Sequence, residues 1–93
     1  MQNSLNIIMP KDFSVEEAAD FRLRINQYMN DGIVNFNFNF TECTFIDSTG
    51  LGVLVSIYKK CVEKNGKIKL LSLNPEVKKL FKLTRLDRIF EME

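Results

Sequence analysis

Val34, Phe36, Phe38 and Phe40 alternate with Asn35, Asn37 and Asn39. Successive residues of a strand point to opposite sides, so this run places every apolar side chain on one face of an extended segment. Asparagine is a poor strand former, and the packing of the phenylalanine face must therefore carry the element. An asparagine row is also what stacks in cross-β ladders, but a half-exposed strand face is the expectation here. The segments on either side have helical spacing. The run therefore constrains the chain to an alternation of strands and helices packed against one another.

Before it, Ser4 to Met9 reads as a short strand ended by Pro10, with Lys11 to Phe13 as a connection. This opening has no basic flank or small-residue cleavage site and is expected to be a strand and not a leader peptide. Ser14 is placed to cap a helix, with Glu17 closing a capping box. Ala18, Phe21, Ile25 and Tyr28 make the apolar face of that helix, flanked by Val15 and Met29, and Asn30-Asp31-Gly32 ends it. The strand predicted over Ile33 to Phe40 follows. A helix is predicted from about Thr49 to Asn65, with Leu51, Leu54, Tyr58 and Cys61 on one face and Val55 and Val62 widening it. Val53 and Ile57 lie off that face and are the candidates for partner contact. Gly66 is expected to be its left-handed C-cap. Lys67 to Leu73 reads as a strand, and the Leu70-Leu71 pair suggests that both its faces are partly covered. Asn74-Pro75-Glu76 opens a third helix, with Asn as cap and Pro in the first position. Val77, Leu80, Phe81 and Thr84 form its inner face. Ile89 to Met92 closes the chain as a short strand.

The order β-α-β-α-β-α-β predicts an α/β fold: an open mixed or parallel sheet of about four strands packed with three helices. Ninety-three residues, 45% of them hydrophobic and eight of them Phe, are enough for one domain over residues 1–93. In such sheets functional sites gather beyond the carboxyl ends of the strands. Asp47-Ser48-Thr49-Gly50 sits at one such end, where the strand-like pair Phe45-Ile46 runs into a helix. The first turn of a helix points unpaired N–H groups outward and favours anions. The turn could therefore bind a phosphate or carry one covalently on Ser48 or Thr49. It could also be a plain helix cap.

The composition removes several chemistries. There is no His, so neither a Ser-His-Asp nor a Cys-His nucleophile can be assembled, and a zinc site lacks ligands. Asp47 is a poor base for its neighbour at a normal carboxylate pKa, so Ser48 is expected to be acted upon and not to act. Cys43 and Cys61 fall outside any CxxC spacing and read as small packed hydrophobes. No GxxxxGK[ST] loop is present, and no cofactor is implied. No apolar run reaches the roughly 20 residues that span a bilayer, and a cytoplasmic protein without membrane insertion is expected. The formal net charge is +1, which does not indicate nucleic-acid binding. The charge is uneven: residues 1–58 carry 3 basic and 7 acidic groups, residues 59–93 carry 10 and 5. Solvated helix faces account for this asymmetry, and the alternative is a bipolar surface that orients a partner.

The stretch from Asn39 through Thr41-Glu42-Cys43-Thr44-Phe45-Ile46-Asp47-Ser48-Thr49-Gly50-Leu51-Gly52-Val53-Leu54 resembles the signature of the STAS domain, and more narrowly that of bacterial anti-sigma factor antagonists. Asn74-Pro75-Glu76-Val77, Leu80-Phe81 and Leu86 match the later helix of that family and its exit. The resemblance runs from about residue 5 to the end. It implies a binding switch and not an enzyme. Ser48 would be the phosphorylation site, the anti-sigma factor an ATP-using serine kinase that modifies it, and a PP2C-type phosphatase the enzyme that reverses it. The unphosphorylated protein would bind the anti-sigma factor and free sigma, so regulating transcription. Asp47, Thr49, Gly50, Leu51, Gly52, Val53, Ile57 and Asn39 would form the phosphosite environment and the partner surface, with Gly50 and Gly52 admitting the partner's backbone and Thr49 as a second acceptor. The alternative is a STAS adaptor acting without phosphorylation in a lipid-transport or stressosome-like assembly.

The chain departs from the family pattern in three places. Lys11-Asp12-Phe13-Ser14 stands where a Gly-acidic pair usually precedes the first helix. Arg85 stands where a Gly usually follows the third helix; in a left-handed conformation it would cost about 1 kcal/mol relative to Gly. The opening strand and closing helix of the family have no counterpart between Met1 and Glu93. An uncovered first strand could pair with another copy, so a monomer or a homodimer is expected.

Overall fold

The computed structural model describes residues 4–93. The chain runs β1 (Leu5–Ile8), β2 (Asp12–Phe13), α1 (Val15–Asn30), β3 (Asn35–Asn39), β4 (Phe45–Ile46), α2 (Ser48–Glu63), β5 (Lys67–Leu71), α3 (Pro75–Leu83), a single 3-10 turn (Leu86–Arg88) and β6 (Glu91–Met92). Four strands form one parallel sheet in the order β1-β3-β5-β6. The order advances in one direction, and right-handed crossovers then place all three helices on the same face.

The burial pattern agrees. Ile7, Phe36, Phe38, Ile68 and Leu70 are buried, while their alternating neighbours Asn6, Asn35, Asn37, Lys69 and Glu91 face the other way. Among the described residues that second face carries no helix, contrary to what the Leu70-Leu71 pair suggests. Leu70 is core, and Leu71 lies half-buried on the open side beside Asn39. The open face is a polar lattice: the Asn37 amide donates to the Asn6 side-chain carbonyl at 2.8 Å, and Lys69 pairs with Glu91 at 3.3 Å and Glu93 at 3.2 Å. A strand with one wet face reads as alternating and not as continuously apolar, which is why β3 shows the pattern it does.

Beneath the sheet the aromatic rings form two edge-to-face series. Phe13, Phe21 and Phe38 touch in sequence at centroid distances of 5.1 Å. Phe40, Phe81, Phe90 and Tyr58 touch at 6.1, 6.0 and 5.4 Å. Cys43 and Cys61 are free and buried in the core, and burial raises both thiols, Cys61 to about 11, so both remain protonated packing residues at neutral pH.

Three local expectations are corrected. Lys11 to Phe13 is more than a connection, because Asp12 and Phe13 pair in parallel with Phe45 and Ile46 in a separate two-stranded ladder. The capping box at α1 does not form. Ser14 is the N-cap residue, but its hydroxyl donates to the Asp12 carboxylate at 2.6 Å and caps no backbone N–H. The left-handed residue after α2 is Asn65, at φ 60°, and not Gly66. Gly66 N–H bonds to the Cys61 carbonyl at 2.7 Å and Asn65 N–H to that of Val62 at 3.0 Å, which completes a Schellman motif with Asn in the Gly role. Gly66 is small for a different reason: a Cβ there would collide with the Val34 carbonyl. Arg85 does adopt the left-handed conformation, at φ 62°. The N-cap of α3 matches its expectation, with the Asn74 side chain accepting from Val77 N–H at 2.8 Å.

Candidate functional site

The β2–β4 ladder sets the geometry of the site. In its register Asp12 lies opposite Phe45 and Phe13 opposite Ile46. The next residue on each strand is a helix N-cap, Ser14 for α1 and Asp47 for α2. Two helices therefore leave the ladder side by side, with their N-terminal turns adjacent.

At the start of α2 one Asp47 carboxylate oxygen accepts two backbone N–H groups, from Thr49 at 3.0 Å and from Gly50 at 3.1 Å. Leu51 N–H bonds to the Asp47 carbonyl at 3.0 Å. Ser48, the first residue of the helix, is exposed, and among the described residues its hydroxyl makes no hydrogen bond. Nothing holds that hydroxyl inside the fold, and α2 has no acidic residue in its first turn to oppose an added charge. Thr49 is exposed too.

The remaining candidates divide. Gly50 is buried, and a Cβ there would strike the Phe13 carbonyl and lie 2.7 Å from the Phe13 ring and 3.0 Å from Ile46. Its smallness serves the internal approach of α2 to β2, and not access for a partner. Gly52 is exposed with nothing within 4 Å of such a Cβ, so it leaves the helix surface flat. Leu51 is buried. Ile57 is 1% exposed and belongs to the core, which removes it from the partner surface. Val53 is half-buried and lines a groove between α1 and α2. The Asn39 side-chain carbonyl accepts the Thr41 N–H at 2.8 Å and the Thr41 hydroxyl, shaping the turn after β3.

Two supports were missed by sequence reasoning. The Asn74 amide donates to the Cys43 carbonyl at 3.1 Å, so the cap of α3 also braces the loop leading into β4. Phe45, 51% exposed and two residues before Asp47, borders a shallow cleft with Leu80 and Glu76. A two-residue strand such as β2 gives no periodic signal, and the ladder that pairs the helix starts was therefore not legible. Among the described residues no group of three or more His, Cys, Asp or Glu is placed to hold a metal ion, and no helix is long and apolar enough to cross a membrane.

The STAS domain profile matches residues 5–93. This chain belongs to the STAS domain family. A candidate anti-sigma factor antagonist of Thermotoga maritima is 33% identical over 88 residues, which is 92% of this chain and 78% of that protein. An anti-sigma-B factor antagonist of Listeria monocytogenes is 34% identical over 65 residues, 70% of this chain and 56% of that one. The crystal structure of a candidate anti-sigma factor antagonist from Thermotoga maritima superposes with a TM-score of 0.86 at 31% identity, covering 94% of this STAS chain and 77% of the other. The Bacillus antagonist SpoIIAA, at 19% identity, shares the fold in its unphosphorylated form (TM-score 0.79, covering 100% and 81%) and in its phosphorylated form (0.78, covering 100% and 85%).

Proposed function

We propose that this STAS domain is an anti-sigma factor antagonist switched by phosphorylation of Ser48. The observation that carries the reading is the first turn of α2: an exposed serine hydroxyl with no partner, on a turn whose next two N–H groups are already held by Asp47. Unphosphorylated, the protein binds an anti-sigma factor and so frees sigma; the anti-sigma factor is the ATP-using kinase, and a PP2C-type phosphatase restores the hydroxyl. The names of the relatives support the partner class. Its role is binding and not catalysis, and its place is the cytoplasm.

Phosphate on Ser48 adds about −1.5 to −2 charges beside Asp47. The N-terminus of α2 offsets part of this, about 0.3–1 kcal/mol at an exposed position. The domain itself therefore tolerates the change, in keeping with the same fold in both forms of SpoIIAA. At an interface the balance differs, because desolvating a dianion beside a carboxylate costs several kcal/mol. Switching thus acts through the contact surface and leaves the fold in place.

Incubation with an anti-sigma factor kinase and ATP, read by intact mass, tests the reading. One phosphate is expected on the wild type and none on Ser48→Ala. If a kinase that modifies another antagonist leaves Ser48 untouched, the switch is wrong, and a constitutive STAS adaptor becomes the better description.

A further inference from the structure

Helix α1 carries two apolar stripes. Ala18, Phe21, Ile25 and Met29 fill the core. Val15, Ala19 and Leu23, at i, i+4 and i+8, form a second stripe outside it, and Val15 and Leu23 are 63% and 64% exposed. Folding does not need this second stripe. Together with Thr49 and Val53 of α2 it lines a groove of about 430 Å³, to which Arg22 adds a cation. The groove opens at Thr49, one residue from Ser48, so it is continuous with the phosphorylation site.

Its charge is one-sided. No acidic side chain lines it, and among the described residues Arg22 makes no ion pair. Farther along the same helix pair Lys60 donates to Asn26 at 3.2 Å, in a separate cleft that Glu63 and Lys64 also line. Glu17 and Asp20 of α1 line a different cleft, with Pro10, Lys11 and Arg24. An occupant that fits is an amphipathic helix, its apolar face against Val15, Leu23 and Val53 and an acidic side chain opposite Arg22.

We propose that this α1–α2 groove is the second half of the anti-sigma factor docking surface and receives such a helix of that partner. The inference rests on the Ser48 reading above. The groove supplies apolar area that is the same in both phosphorylation states, while Ser48 at its mouth supplies the discrimination. Phosphorylation then vetoes a contact whose affinity is built next to it.

Dissociation constants measured by calorimetry with the purified anti-sigma factor kinase of the same organism test this. Leu23→Ser and Arg22→Glu are each expected to weaken binding about tenfold or more. Val62→Ser, on an exposed site outside the groove, should match the wild type. Thermal melts of all three variants check that the fold is intact. If wild type binds and Ser48→Asp does not, yet Leu23→Ser and Arg22→Glu bind like wild type, the groove proposal fails and the Ser48 reading survives. If wild type does not bind, or Ser48→Asp binds equally well, the Ser48 reading fails and the groove proposal falls with it. If Leu23→Ser changes only the oligomeric state in gel filtration, the groove is a self-association face and the proposal is likewise overturned.

Discussion

Helices α1 and α2 begin side by side on one ladder, yet their first turns are built in opposite ways. At α1 the cap hydroxyl turns back to Asp12, and Glu16 and Glu17 place negative charge in the first turn. At α2 a carboxylate caps two N–H groups, no acid follows, and a free hydroxyl faces outward. Both arrangements complement the positive end of a helix. The first does so with fixed charges on its own chain. The second, under the proposed switch, leaves the next charge to be added and removed by phosphorylation. Two adjacent turns with similar backbone duties thus differ in their electrostatics: the first carries its own acids, and the second has none after its cap.

The comparison depends on the close approach of α2 to β2, and breaking that approach should have the largest effect. Gly50→Ala forces a methyl group into the Phe13 carbonyl and ring and is expected to destabilise the fold by about 2–3 kcal/mol in urea unfolding. Gly52→Ala, two residues along, meets nothing and should stabilise by up to about 1 kcal/mol, since only helix propensity changes. If the two variants melt alike, the internal role given to Gly50 is wrong.

A smaller effect separates the two caps directly. Asp47→Ala removes the acceptor of two N–H groups and should cost about 1–2 kcal/mol. Ser14→Ala removes no N–H acceptor and should stay within about 0.5 kcal/mol. The third helix start sharpens the scale further. Asn74→Asp keeps the cap acceptor for Val77 N–H but loses the donor to the Cys43 carbonyl, a change of about 1 kcal/mol. Hydrogen exchange should show that loss as faster opening of the loop before β4, with α3 itself unaffected.

The main elements were legible because each has a strong period or a strong punctuation mark. The alternation of Phe36 and Phe38 with asparagines gives β3, Asn74-Pro75 gives the start of α3, and Asp-Ser-Thr-Gly gives the start of α2. Illegible features depend on contacts distant in sequence. The capping box at Ser14 looked complete locally, but Asp12, held in the ladder, takes the hydroxyl. Ile57 lies off the main apolar face of α2 when the helix is considered alone, yet the helix packs on both the sheet and α1, and its buried arc is wide enough to include Ile57. Leu23 stood outside the core stripe of α1, a signal for the groove that only the position of α2 makes meaningful. Gly50 and Gly66 were assigned to a partner and to a turn; each is instead the point where another backbone of the same domain passes close.

The one-way order of the sheet also bears on how the chain is made. Each strand of β1-β3-β5-β6 joins an edge presented by strands already synthesised, and none must insert between two others. A domain emerging N-terminus first can therefore grow as it leaves the ribosome, at roughly 5–20 residues per second. The ladder of β2 and β4 follows the same rule, so the turn bearing Ser48 can form once α2 has emerged. Asn74, which braces the loop leading into β4, arrives later. Between those moments the loop before β4 is held by its backbone bonds to Phe40 and Lys11, and the arrival of α3 adds the Asn74 contact to Cys43.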